Sequence, residues 1–311
     1  MIYPSYFNSK NSLDLFGLYE NFNFLKDLYL NEKLPKVLML SGNKGSGKST
    51  LLNHFIHFIF DKSNYDEKKS KFDVESLFHK QFLNDIYPNL IYLDGSNASN
   101  AKIENIRILK KNISKTSISN KPRFIILDDV ELFNINSLNA LLKSIEEPTS
   151  NNFFLLINNK SKPLIDTIKS RCLDIKLILN EKKRLEIIEC LIKKFNINKV
   201  IDPETSYLTP GYFIKFNYIC DENKISLSEN FIVNLNILLN LHKKNKIVMY
   251  IDMILFLTDT YFINLKNTNS FKNEKIIEYK RFFFDNINNY FLYNLNQNAL
   301  LNALNNKINN E

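Results

Sequence analysis

The segment LMLSGNKGSGKSTLLNHF, Leu38 to Phe55, sets an apolar run against a glycine-rich turn and then an amphipathic helix. Within it, GNKGSGKS from Gly42 to Ser49 satisfies the pattern G-x-x-x-x-G-K-[ST] in full. Glycines let the backbone turn so that several N–H groups face inward, and the positive end of the following helix reinforces that anion cradle. The candidate nucleotide-binding residues are therefore Gly42, Asn43, Lys44, Gly45, Ser46, Gly47, Lys48, Ser49 and Thr50. Lys48 is placed to reach the β and γ phosphates, and the Ser49 hydroxyl to hold Mg²⁺.

Working outward, Val37–Leu40 reads as a strand, and Leu51, Leu52, Phe55, Ile56 and Ile59 recur at helical spacing. The polar stretch DKSNYDEKKSKFD (61–73) reads as a surface loop. Further strands are expected at LIYL (90–93), RFIILDDV, NFFLLINN and LDIKLIL, with helices over NAKIENIRILKKNISK and NSLNALLKSIEEP, the latter ended by Pro148. The strands are nearly all apolar, as in a parallel sheet buried on both faces, and alternate with helices. That pattern implies right-handed crossovers and a ligand site at the strands' C-terminal ends.

Two further segments fall at those ends. In FIILDDVELF, Asp128 closes a buried strand, where a carboxylate needs a cation or fixed dipoles; Mg²⁺ held through Ser49 suits it. Asp129 stands where many such enzymes carry a water-orienting glutamate, one methylene longer. In LLINNKSKPLIDTIKSRC, Asn158 ends a strand with a neutral side chain suited to a γ-phosphate or its water. Arg171 follows after a helix, and on the residues alone it reads as a surface arginine.

Composition bounds the remaining possibilities. The 311 residues suffice for two or three domains, with 44% hydrophobic and 24% charged residues. The net charge of +8 accompanies an Asn-, Lys- and Ile-rich composition that extends into loops, so it says little about partners. The longest apolar stretch carries Asp252 and Asp259, which disfavours a membrane span, and no signal peptide is visible, so a cytoplasmic location is expected. Cys172, Cys190 and Cys220 are too dispersed for a disulfide framework or structural zinc. His54 and His57 share a helix face, for which surface or packing roles are expected over metal binding. Past residue 180 the pattern turns helical, with Leu235, Leu238, Leu239 and Leu241 offering an apolar face expected to be core.

The run NALLKSIEEP, then a strand, then SRC resembles the clamp-loader branch of the AAA+ ATPases, in bacteria the tau/gamma and delta-prime subunits of the DNA polymerase III clamp loader. The likeness covers residues 13–180 and continues weakly to TPGY at Thr209–Tyr212. It implies an AAA+ P-loop NTPase domain with a parallel sheet (1–179), a small helical lid (180–222) and a helical collar for oligomerisation (223–311). It makes Asp128 the Walker B aspartate, Asn158 sensor 1, and Arg171 a finger offered in trans to a neighbour's site. Tyr212 stands where the sensor 2 arginine would fall. With Asp129 and without cysteines before Cys172, the sequence is nearer delta-prime than tau/gamma, and it continues past the lid for about one collar-sized domain. The resemblance thus implies ATP with Mg²⁺ and no zinc, little turnover by this chain alone, partners in tau/gamma and delta subunits, the sliding clamp and primed DNA, and no membrane. A tau/gamma-type motor and a nonhydrolysing scaffold stabilised by nucleotide remain as alternatives.

Overall fold

The computed structural model describes residues 3–96, 106, 109–110, 113, 121–149, 151–227, 230–267 and 273–309. Five strands, β1 (Val37–Ser41), β2 (Leu90–Asp94), β3 (Arg123–Asp128), β4 (Asn152–Asn158) and β5 (Leu173–Lys176), form one sheet in the order β2-β3-β4-β1-β5. Every pairing is parallel. α1 (Tyr19–Leu30) precedes β1; parallel neighbours require crossovers, and α2 (Lys48–Phe60) and α3 (Ile135–Glu146) lie among the connecting segments. This is an α/β architecture built on a five-stranded parallel sheet.

Successive strand residues point to opposite faces, and here both faces are dry. Leu38, Leu40, Phe124, Ile126, Leu155 and Ile157 pack with Leu51, Leu52, Phe55 and Ile56 of α2. The intervening residues Val37, Met39, Ile125, Leu127, Phe154 and Leu156 pack with Leu138, Leu141 and Ile145 of α3. An apolar run with no alternation is the result of serving two cores at once.

The helix expected over 100–115 lies largely outside the described residues; Ile106, Leu109 and Ile113, which are described, are buried in the second of these cores. The stretch at 61–73 departs from the surface loop expected of it. Tyr65–Asp66 pairs antiparallel with Lys71–Phe72, and Tyr65 and Phe72 are buried. Their rings meet Phe22 and His57, so two aromatic residues outweigh the surrounding charge in deciding where this segment lies.

The chain divides into two compact units, residues 1–194 with 208–212, and residues 195–207 with 213–311. In the second unit, α4 (Phe231–Asn245), α5 (Met249–Asn267), α6 (Asn273–Tyr293) and α7 (Gln297–Asn309) pack together. Leu235, Leu238 and Leu239 of α4 are core, whereas Leu241 is half-buried. Among the described residues no helix is long and apolar enough to cross a membrane, and the three cysteines are free.

Candidate nucleotide-binding site

The glycine loop bridges β1 and α2 at the C-terminal edge of the sheet. Gly45 has φ 81° and Gly47, which caps α2, has φ 95°; both are left-handed conformations that glycine adopts without Cβ strain. Crowding adds to the requirement at Gly45, where a Cβ would come within 2.5 Å of Thr209 Oγ1. The turn Thr209-Pro210-Gly211 lies directly against the loop: Thr209 Oγ1 donates to the Lys44 carbonyl at 2.7 Å, and Gly211 N donates to the Gly45 carbonyl at 2.8 Å.

Lys48 is buried, and its ammonium donates to the carbonyls of Gly42 (2.8 Å) and Asn43 (2.7 Å), with Ser46 Oγ at 3.4 Å. Burial pushes its pKa down to about 8, against the opposing pull of Asp128, Glu131 and Asp129. A cation whose direct partners are neutral oxygens in a desolvated turn gains from an arriving anion. Thr50 is half-buried in the first turn of α2.

Asp128 ends β3 with its carboxylate enclosed by donors. Its Oδ2 accepts from Ser49 Oγ at 3.2 Å and from the Tyr92 hydroxyl at 2.6 Å, while Oδ1 accepts from Asp129 N at 2.9 Å. Burial still raises its pKa, and the Tyr92 hydrogen bond counters that rise. Hydroxyl and carboxylate oxygens side by side form a donor set that suits Mg²⁺ bound with a nucleotide, since hard cations take oxygen ligands. Ser49 and Asp128 are the residues that would hold it.

Asp129 is buried in a left-handed conformation with φ 49°. Its carboxylate accepts from Asn159 Nδ2 at 2.5 Å and lies 3.7 Å from Lys44 Nζ. Asn158, the residue picked out from the strand end, is directed elsewhere. Its amide nitrogen lies 3.9 Å from Met39 Sδ and its Oδ1 accepts from Lys160 N, while its backbone carbonyl accepts from Gly42 N at 3.1 Å. The side chain that meets Asp129 is thus that of Asn159. Glu131 anchors the same loop, accepting from the backbone N–H groups of Asn159 and Ser161 and from Ser161 Oγ.

Arg171 is exposed and stands outside this cluster. Its Nε donates to Glu146 Oε1 at 2.6 Å, and Nη1 donates to the Thr167 carbonyl at 2.7 Å. The structure therefore gathers the loop, Lys48, Ser49, Asp128 and Asp129, and leaves Arg171 at the surface beside the end of α3.

Sequence reasoning missed Tyr92, Glu131, Asn159 and the Thr209 contact. A signal for Tyr92 existed in the strand register. Tyr92 pairs with Ile126, two residues before Asp128 on the same face, and two residues span about 6.6 Å, the reach of a tyrosine side chain. Nothing in local spacing marks Glu131 or Thr209.

A family model described as "DNA polymerase III, delta subunit" matches residues 18–180. The DNA polymerase III subunit delta' of Buchnera aphidicola subsp. Schizaphis graminum is 33% identical over 200 residues, 61% of this chain and 60% of that protein. The subunit gamma of the same organism is 28% identical over 163 residues, 52% of this chain and 44% of that protein, so the match spans less than half of the relative's length. A gamma subunit-related protein from Thermotoga maritima, solved by crystallography, aligns over 90% of this chain and 96% of its own at 14% identity, with a TM-score of 0.49.

Proposed function

Because this chain belongs to the DNA polymerase III delta subunit family of clamp-loader proteins, we propose that it serves as a delta-prime-like clamp-loader subunit that binds Mg²⁺–ATP and hydrolyses it poorly. The complete loop, with Ser49 3.2 Å from Asp128, supports binding. Loop N–H groups and Lys48 would take the phosphates, and Mg²⁺ at Ser49 and Asp128 would supply charge neutralisation when bound. Asp129 supports poor turnover, because its shorter carboxylate is engaged by Asn159 and lies near Lys44. In this reading residues 180–222 form the lid and 223–311 the collar. The partners are tau/gamma and delta subunits, the sliding clamp and primed DNA.

The observation that carries the subunit role is the position of Arg171, which is exposed and bonded to Glu146 and Thr167 rather than to its own loop cluster. A guanidinium presented in this way can neutralise transition-state charge in a neighbour's site. The test is reconstitution with tau/gamma and delta subunits. Arg171→Ala is expected to leave assembly intact and to lower the ATPase rate of the complex by at least tenfold. Unchanged turnover in a fully assembled complex defeats the finger role.

A further inference from the structure

The Tyr92 hydroxyl donates at 2.6 Å to Asp128 Oδ2, the same oxygen that accepts from Ser49. Oδ1 accepts from Asp129 N, so donors from the chain itself reach both carboxylate oxygens. The phenol ring packs against the buried core under α2, and Lys10, paired with Asp85, lies 5.1 Å from the ring centroid. A short hydrogen bond from so anchored a ring is a built contact.

We infer that Tyr92 is a positioning residue that stands in for the metal: its hydroxyl satisfies the buried Asp128 carboxylate when no magnesium is bound, and it competes with magnesium for that carboxylate when nucleotide arrives. This rests on the Mg²⁺–nucleotide reading above. An oxygen that already takes two donors is a poorer acceptor for the cation or its water. The same contact therefore stabilises the ligand-free protein and weakens metal binding. Linkage makes the two effects equal: whatever stability Tyr92 gives the free form beyond the bound form must appear as lost affinity.

The test is Tyr92→Phe, which removes one oxygen and keeps the ring. Thermal unfolding is measured with and without saturating Mg²⁺ and a nonhydrolysable ATP analogue, together with the Mg²⁺ concentration that half-saturates analogue binding. The variant is expected to unfold at a lower temperature than wild type without ligand, and the gap should shrink when ligand is present. Half-saturating Mg²⁺ should fall about tenfold, the equivalent of one hydrogen bond to a charged group. A merely structural tyrosine would lower both unfolding temperatures equally and leave the Mg²⁺ midpoint where it was, and that result overturns the inference. If the variant does not fold alone, Mg²⁺ and analogue must restore its folded circular dichroism spectrum; a chain that stays unfolded also overturns it. Wild-type protein that shows no ligand response at all defeats the nucleotide reading itself, an outcome distinct from a wild type that responds beside a variant with an unshifted midpoint.

Discussion

The two ends of α2 bury ionisable side chains in opposite ways. At its N-terminus Lys48 and Ser49 face carbonyls and the Asp128 carboxylate, so charge is kept and answered by dipoles. About one and a half to two and a half turns further on, His54 and His57 are fully buried among rings, with His57 stacked on Phe72 at 3.8 Å. Hydrogen bonding fixes their neutral tautomers. His57 Nδ1 meets the Asn53 carbonyl at 2.7 Å and must carry the proton, which leaves Nε2 to accept from His79 Nδ1 at 3.1 Å. His54 likewise donates from Nε2 to the Ser12 carbonyl and accepts at Nδ1 from the Tyr65 hydroxyl. Burial drives the pKa of His54 down to about 3 and of His57 to about 4, with their backbone hydrogen bonds opposing the drop. One helix thus shows that burial preserves charge only where fixed dipoles surround it, and removes charge where rings do.

The sharpest way to break this contrast is to act on the charged end. Lys48→Ala should raise the half-saturating concentration of Mg²⁺–ATP about a thousandfold, or about 4 kcal/mol, in an equilibrium binding assay. Near-normal binding would mean that the collapsed lysine has no part in holding phosphate. At the neutral end, His57→Ala removes a stacked, fully buried ring and should cost about 3 kcal/mol in urea unfolding; its effect on nucleotide affinity should be slight, since the two ends are held by different neighbours.

Acid sharpens the comparison further. Both histidines have folded-state pKa values below the unfolded value near 6.5, so the unfolded chain binds more protons as pH falls below that point. Their stability contribution is complete above pH 6.5 and erodes on acidification, by roughly 1.5 kcal/mol per histidine at pH 5.5. Urea midpoints between pH 7.5 and 5 check this, and His57→Ala should flatten part of the slope. The smallest effect belongs to Arg171→Ala in the isolated chain. Its exposed pair with Glu146 should contribute less than about 1 kcal/mol to stability, so a large loss in thermal unfolding would show that the residue serves the fold.

How far the sequence could be read follows from the range of each interaction. The loop, its strand and helix, and the meeting of Ser49 with Asp128 were legible because a glycine-rich loop motif is contiguous and because buried strands are uniformly apolar. Asn158 illustrates the limit. Position at a strand end identifies a segment to within a residue, but alternation of side chains decides which of two neighbouring asparagines meets Asp129, and that alternation placed Asn158 with Met39 and Asn159 with the site. The polar stretch 61–73 misleads for a related reason: charge counts dominate its composition, while Tyr65 and Phe72 dominate its packing.

By itself the sequence determined a glycine-rich loop in an alternating α/β domain, the carboxylates at the end of its third strand, and a helical remainder, since each of these is written in local periodicity and short spacing. Only the tertiary structure decided that Tyr92 and Ser49 share one carboxylate oxygen, that Thr209 and Gly211 close on a loop some 165 residues earlier in the chain, and that two histidines on the same helix as Lys48 are neutral. Those outcomes depend on which groups folding brings within hydrogen-bonding reach of each other and on how much water it removes, and neither quantity is local to any stretch of residues.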